Sequence, residues 1–225
     1  MSVTLDVLDH PTGDPRQDLA LELRLMEEAV AGGPRLFFYT WTKPVLVLGY
    51  GQPESDADLI FCRAQGIPIH RRASGGTGVL HRNDLAVSLA LPMTHPKAKS
   101  IQGLYDFMKT SVRKAFEDEG LPLTDPGPAP GRGRARSPLC FLDHSSETLL
   151  LDGKKCVGCS QARKKDAALV HATLLLNLDA ALTSKVFRIP EAKILQAIVS
   201  IPLPAGRMAA FKAGVGEIIR ESLRI

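Results

Sequence analysis

Arg71-Arg72-Ala73-Ser74-Gly75-Gly76-Thr77-Gly78-Val79-Leu80-His81 sets three glycines between a short strand, Ile67 to Arg72, and a second one, Gly78 to His81. A glycine loop from strand to strand is not the dinucleotide fingerprint, in which G-x-G-x-x-G opens a helix, and no Gly-Lys-Ser/Thr follows as in a phosphate-binding P-loop. Glycine tolerates positive φ and lets backbone N–H groups approach a ligand closely, so the loop can cradle a carboxylate, a phosphate or a thioester oxygen. A bare Gly-Gly is as readily a simple turn. The paired arginines before it and the histidine after it weight the reading towards a site.

Outward from the loop, the elements alternate in period. Asp18 to Ala31 has apolar residues at helical spacing and stops at Gly32-Gly33-Pro34. Arg35 to Thr40 and Pro44 to Leu48 read as strands around a short turn, Asp56 to Gln65 as a short helix, and Gly78–His81 with Leu85–Leu91 as a hairpin about Arg82-Asn83-Asp84. A long helix follows from about Ile101 to Glu119. Residues 125–138 (DPGPAPGRGRARSP) cannot pack a core and read as a mobile loop. Asp152-Gly153 is a strong hairpin signal between Thr148–Leu151 and Lys155–Cys159, and Ala168–Leu178 is another strand. From residue 180 to 225 the pattern is helical, broken at Pro190 and at Pro202 and Pro204. The expected fold class is α+β: a mostly antiparallel sheet with packed helices, forming a single domain over 1–225.

The composition is that of a globular chain of 225 residues, 44% hydrophobic and 23% charged. A net charge of +4 and 5% aromatics do not make a nucleic-acid footprint. There is no signal-peptide pattern and no apolar run long enough to span a bilayer, so a cytoplasmic setting without membrane or nucleic-acid partners is expected. Four cysteines in a chain of this length are not a disulfide framework. Cys156-x-x-Cys159 supplies two ligands where tetrahedral zinc wants four, and no second pair exists, so no metal site is expected.

Two further clusters bear chemistry. In Gly153-Lys154-Lys155-Cys156-Val157-Gly158-Cys159-Ser160-Gln161, strand alternation puts Lys155 and Val157 on one face and Lys154 and Cys156 on the other. One lysine can then point into a pocket and stabilise developing negative charge, although both as solvated surface lysines is the plainer alternative. Cys140 follows the Pro/Gly/Arg-rich loop and precedes a polar run, a setting at a pocket edge. Its thiol is intrinsically nucleophilic, and composition alone does not separate that role from ordinary packing.

Together these stretches resemble the lipoate/biotin protein ligase superfamily. The likeness rests on Arg71 to His81, on Lys155-x-x-Gly158-x-x-Gln161, on His171 to Leu176, and on Phe38-Tyr39-x-Trp41 and Gly49-Tyr50-x-Gln52 upstream, and it covers roughly Leu19 to Pro190. Gly75 to His81 together with Cys140-Phe141 are most similar to the cysteine-dependent octanoyltransferases within it. The resemblance implies Cys140 as nucleophile and Lys155 as the second catalytic residue. Arg71, Arg72, Ser74, Gly75, Gly76, Gly78, His81, Gly158, Gln161 and His171 would bind substrate, and His81 and Asp84 would shape the loop. The implied reaction takes octanoyl from a thioester on acyl carrier protein and delivers it to a lysine of a lipoyl domain or of the glycine-cleavage H protein, with no cofactor. The alternative the resemblance leaves is an ATP- and magnesium-dependent lipoate ligase, with Cys140 a bystander and an accessory subunit elsewhere. Thr77, and Cys159-Ser160 in place of Ser-Ala, depart from the usual pattern. The large accessory domain of lipoate ligases is not expected in this chain.

Overall fold

Strand β6 (Leu85–Pro92), at the centre of the molecule, explains its layering. Its residues alternate large and small, Leu85, Val87, Leu89 and Leu91 against Ala86, Ser88 and Ala90, and successive side chains of a strand point to opposite faces. The large set packs into one core and the small set faces another. The small face leaves room that the candidate site uses. A computed structural model describes residues 4–9, 11–126 and 136–224 of the chain.

In chain order, β1 (Asp6–Leu8) leads to α1 (Pro15–Gly32), then β2 (Arg35–Tyr39), β3 (Val45–Leu48), α2 (Leu59–Ala64), β4 (Ile69–Arg71), β5 (Val79–His81) and β6. The short α3 (Pro96–Lys99) and long α4 (Ile101–Asp118) follow, then β7 (Thr148–Leu151), β8 (Lys154–Arg163) and β9 (Ala167–Leu174). The chain closes with α5 (Ala180–Phe187), α6 (Glu191–Ala197) and α7 (Met208–Ser222). A six-stranded sheet runs β1-β2-β6-β9-β8-β7, and a three-stranded one β4-β3-β5. Pairing is antiparallel except for β1 with β2 and β3 with β4. The α+β expectation holds.

On one face of the large sheet lie α4 and α7, whose Phe116 and Phe211 rings stack with centroids 4.4 Å apart. Each such buried ring is worth roughly 1.5–3 kcal/mol. On the other face lie α1 and the small sheet with α2, α5 and α6. Helix α1 begins where Asp14 caps the Arg16 N–H at 2.9 Å with Pro15 in its first turn, and ends where Gly33, at φ 84°, donates to Ala29 O.

Two expectations are corrected. Gly78–His81 and Leu85–Leu91 do not form a hairpin: β5 pairs with β3 and β6 with β2 and β9, in different sheets. Asn83, at φ 54°, donates its N–H to Trp41 O at 2.7 Å, and this turn carries the chain from one sheet to the other. Lys155 and Val157 do not share a face either. A bulge between Leu149 and Leu150 makes Val157 and Lys155 their respective partners, leaving Cys156 as the extra residue. Cys156 and Val157 both enter the core beneath α4, while Lys155 turns towards Phe141 in the other core. The predicted turn at Asp152-Gly153 is present, with positive φ at both residues. Of the stretch 125–138 read as a mobile loop, residues 127–135 lie outside the described residues. Asp125, at its start, is held by Lys109 at 2.7 Å and by Arg113.

Candidate active site

The two arginines of the glycine stretch hold two different loops. Arg71 turns outward and donates to the carbonyls of Gly49, Tyr50 and Gln52. Arg72 is buried and donates to Ser74 Oγ at 3.0 Å, Gly75 O at 2.7 Å and Thr77 O at 3.0 Å. Gly76 adopts φ +92°, and its carbonyl lies so close to Gly49 that a Cβ there would sit 2.0 Å from it. The two loops are thus stacked backbone on backbone.

Cys140 is fastened to the same loop. Gly78 donates to Pro138 O at 3.0 Å, and Cys140 donates back to Gly78 O at 2.9 Å. Gln52 adds a donor to Pro138 O at 2.9 Å. Cys140 then opens a single 3-10 turn, Cys140–Leu142, and its side chain remains partly exposed at a pocket. Arg72, His81, His171 and Gly158 border that pocket, with Val79 and Phe141 as its apolar members.

Lys155 lies behind Cys140 rather than in the open. It is 2% exposed, and Nζ donates to Cys140 O at 2.9 Å and to Asp143 O at 2.7 Å, above the Phe141 ring. Gly158 lies close against it: a Cβ there would sit 3.3 Å from Lys155 Cε. Lys155 therefore anchors the turn that carries the thiol. Ser74 Oγ and Ser160 Oγ, 2.8 Å apart, tie the glycine loop to β8.

The site holds an unusual set of buried charges. No carboxylate lies within ion-pairing distance of Arg72 among the described residues; its acceptors are neutral. Burial pulls Arg72 down, and Arg72 and Cys140 line the same pocket. The small face of the sheet carries a second polar knot. Glu22 from α1 meets His171 Nδ1 at 2.7 Å, accepts from Tyr39 OH at 3.0 Å and from Ser88 Oγ, while His171 Nε2 lies 3.1 Å from Thr173 Oγ1. Burial pushes the Glu22 carboxyl up, but the His171 ring and these donors outweigh it and hold it below the usual range. His81, bordering the pocket, packs against the Trp41 ring at 5.3 Å and lies 3.5 Å from Asp84.

The residues expected from the sequence divide. Cys140, Arg72, His81, Gly158 and His171 come together at the pocket; Ser74, Gly75, Gly76 and Gly78 lie in the loop between its lining residues Arg72 and Val79 and do not themselves line it; Lys155 supports the turn that carries Cys140. Arg71 braces the neighbouring turn, and Gln161 points away, donating to Ile101 O at 2.7 Å. Cys156 is buried in the core with its Sγ on Leu149 O, so its spacing to Cys159 reflects the bulge. Glu22, Ser88, Thr173 and Ser160 were not anticipated. For Glu22 a signal existed: Asp18, Glu22, Leu25, Met26 and Ala29 all lie on the buried stripe of α1.

A partly exposed thiol pinned to a glycine loop, in a pocket that a buried guanidinium also lines, suits acyl transfer through a covalent intermediate. The comparisons agree in kind. Octanoyltransferase LipM of Carboxydothermus hydrogenoformans is 30% identical over 192 residues, 84% of this chain and 70% of that protein. The LipM of Geobacillus kaustophilus is 32% identical over 190 residues, 80% of this chain and 68% of that one. A bi-partite lipoate protein ligase of Thermoplasma acidophilum shares the fold with a TM-score of 0.74 at 22% identity, covering 99% of this chain and 90% of its own. With residues 14–217 matching the lipoyl protein ligase A/B catalytic domain, the chain belongs to that family.

Proposed function

We propose that this chain is an acyltransferase that moves an octanoyl group from a carrier-protein thioester to a lysine of a lipoyl domain, with Cys140 as the nucleophile. The observation that carries the reading is the placement of Cys140, partly exposed at the pocket with its backbone held by Gly78 and Lys155. The likeness to the octanoyltransferases of C. hydrogenoformans and G. kaustophilus supports it.

In the first half-reaction the Cys140 sulfur attacks the thioester carbonyl, a new C–S bond forms, and the carrier thiol leaves with the proton. In the second, the deprotonated lysine amine attacks the Cys140 thioester, the amide forms, and the thiol is regenerated. Negative charge develops on the carbonyl oxygen in both, and the positive charge of Arg72, which lines the same pocket, opposes it. Lys155 acts as a positioning residue. The tail packs beside Val79 and Phe141, where about 0.8 kcal/mol per methylene gives roughly 5 kcal/mol for an octanoyl chain.

Among the described residues no helix is long and apolar enough to cross a membrane, and a cytoplasmic setting, where carrier and acceptor proteins are at hand, fits this role. The test is acylation of an apo lipoyl domain by octanoyl-acyl carrier protein without ATP, followed by intact mass. Transfer without ATP is expected. Transfer only from free octanoate or lipoate with ATP and magnesium would replace this reading with that of a ligase.

A further inference from the structure

His81 and Asp84 form a buried couple that the proposed reaction has not yet used. Their side chains are 7% and 2% exposed, and Asp84 Oδ2 lies 3.5 Å from His81 Nδ1. Neither carboxyl oxygen of Asp84 has a hydrogen-bond partner among the described residues. The backbone N–H groups of Arg82, Asn177 and Leu176 approach it without closing that geometry. A bare carboxylate left so would cost far more than a neutral acid, whose hydrogen faces His81 Nδ1 at 3.5 Å.

The other histidine of the pocket is committed, its Nδ1 to Glu22 and its Nε2 to Thr173. With His81 Nδ1 turned to Asp84, Nε2 is the nitrogen left for the pocket that Cys140 shares.

We infer that Asp84 is a positioning residue that keeps its own proton and presents it to His81 Nδ1, so that His81 enters the reaction as a neutral imidazole donating from Nε2 to the oxygen of the reacting carbonyl. This rests on the reading of Cys140 as the acyl acceptor. No proton changes owner: the Nε2 hydrogen stays on nitrogen while the carbonyl oxygen gains and then loses negative charge. The surroundings favour the neutral forms. Burial first, then the charges of His171 and Arg72, pushes His81 down to about 3 against the pull of Glu22. Burial pushes the Asp84 carboxyl well up against the backbone donors. A neutral imidazole held as a donor beside a developing oxyanion is an established way of using histidine as an electrophile.

The alternative is a charge-bearing Asp84 accepting from Nδ1–H, which would leave Nε2 a bare base, as in a serine-protease triad. The two make opposite predictions for Asp84→Asn. A carboxamide can donate to Nδ1 as a carboxylic acid does, so the inference expects the variant to keep the tautomer and to keep kcat within a few-fold. A triad arrangement expects the tautomer to invert and kcat to fall by about 10⁴.

The direct reading is the nitrogen-15 spectrum of ring-labelled protein, with His81 assigned by its loss in His81→Leu. Expected is a ring protonated at Nε2 and not at Nδ1, unchanged from about pH 5.5 to 8.5, a range in which an unperturbed ring would titrate. A wild-type ring protonated at Nδ1, or one that becomes an imidazolium in that range, overturns the inference even where Asp84→Asn fails to fold. His81→Leu should lower kcat about 10²–10³-fold with KM for the carrier thioester little changed, as for loss of one oxyanion donor; an unchanged kcat overturns the donor role. A protein with the expected tautomer that transfers no octanoyl group would sink the acyltransferase reading instead, and leave the Asp84 assignment standing.

Discussion

Gly49→Ala is the sharpest structural test of the stacked loops. A Cβ at Gly49 would lie 2.0 Å from Gly76 O, 2.7 Å from Gly76 C and 3.5 Å from Thr77 N, all of them backbone atoms. No side chain can swing aside, so the glycine loop must withdraw by roughly an ångström or more to reach ordinary contact. Overpacking of this kind costs about 1–3 kcal/mol, which for a chain of this size lowers Tm by about 4–8 °C at mid-range. The effect on chemistry should be larger. The withdrawn loop includes the carbonyls that hold Arg72 and borders the Gly78 carbonyl that receives the Cys140 N–H. A displacement of that size costs on the order of 100-fold in rate. Gly51→Ala is the control, because a Cβ there meets nothing within 4 Å. Thermal unfolding and single-turnover octanoyl transfer should separate the two variants on both axes. A Gly49→Ala protein with wild-type Tm and wild-type rate would refute the stacking of Gly49 on Gly76.

Other consequences follow from the buried polar groups. Glu22→Gln breaks a buried pair and leaves His171 with a poorer partner, so urea unfolding should show a loss of about 3–5 kcal/mol. The Glu22 carboxyl is held below its usual range in the fold, so its stabilisation is present above the unfolded value near 4.5 and lost as pH falls below it; acid unfolding of Glu22→Gln should show a shallower slope there. His81 is pushed down to about 3 from 6.5, so the unfolded chain binds the proton first and stability falls as pH drops between those values. Replacing His81 with Leu should flatten that part of the stability–pH curve. Lys155→Met strips the donor from the Cys140 and Asp143 carbonyls, about 1–3 kcal/mol for each group left unsatisfied. It should raise the B-factors of residues 140–143 in a crystal structure and lower kcat more than it raises KM.

Much of this was legible in the residues, and the exceptions have physical reasons. Local signals marked elements well: the Asp152-Gly153 turn, the Gly33 stop of α1, the apolar spacing of α4. Which strands share a sheet was not local. The period-2 patterns of β5 and β6 are equally good for partners and for strangers, and the turn at Asn83 that separates them depends on the distant Trp41 carbonyl. The bulge at Cys156 likewise depends on the partner strand, so alternation counted along β8 alone put Val157 on the face of Lys155. At the site, the glycine loop stood out by composition and by resemblance, and Cys140 by resemblance alone. The anchoring of Lys155 on two carbonyls and the contact of Gly49 with Gly76 are made between segments far apart in the chain, and no spacing announces them. Glu22 sits on a buried helical stripe, but only the small residues Ala86 and Ser88 opposite it show that a carboxylate has somewhere to go.

The measurement closest to the central claim is the location of the acyl group on the enzyme itself. The protein is mixed with octanoyl-acyl carrier protein without ATP or acceptor, quenched in acid, and mapped by peptide mass spectrometry, beside Cys140→Ala. The account predicts one octanoyl group on the peptide containing Cys140, removed by neutral hydroxylamine as a thioester is, absent from the variant, and discharged when an apo lipoyl domain is added. An octanoyl group on another cysteine, or an acceptor acylated at the same rate by Cys140→Ala, would contradict it.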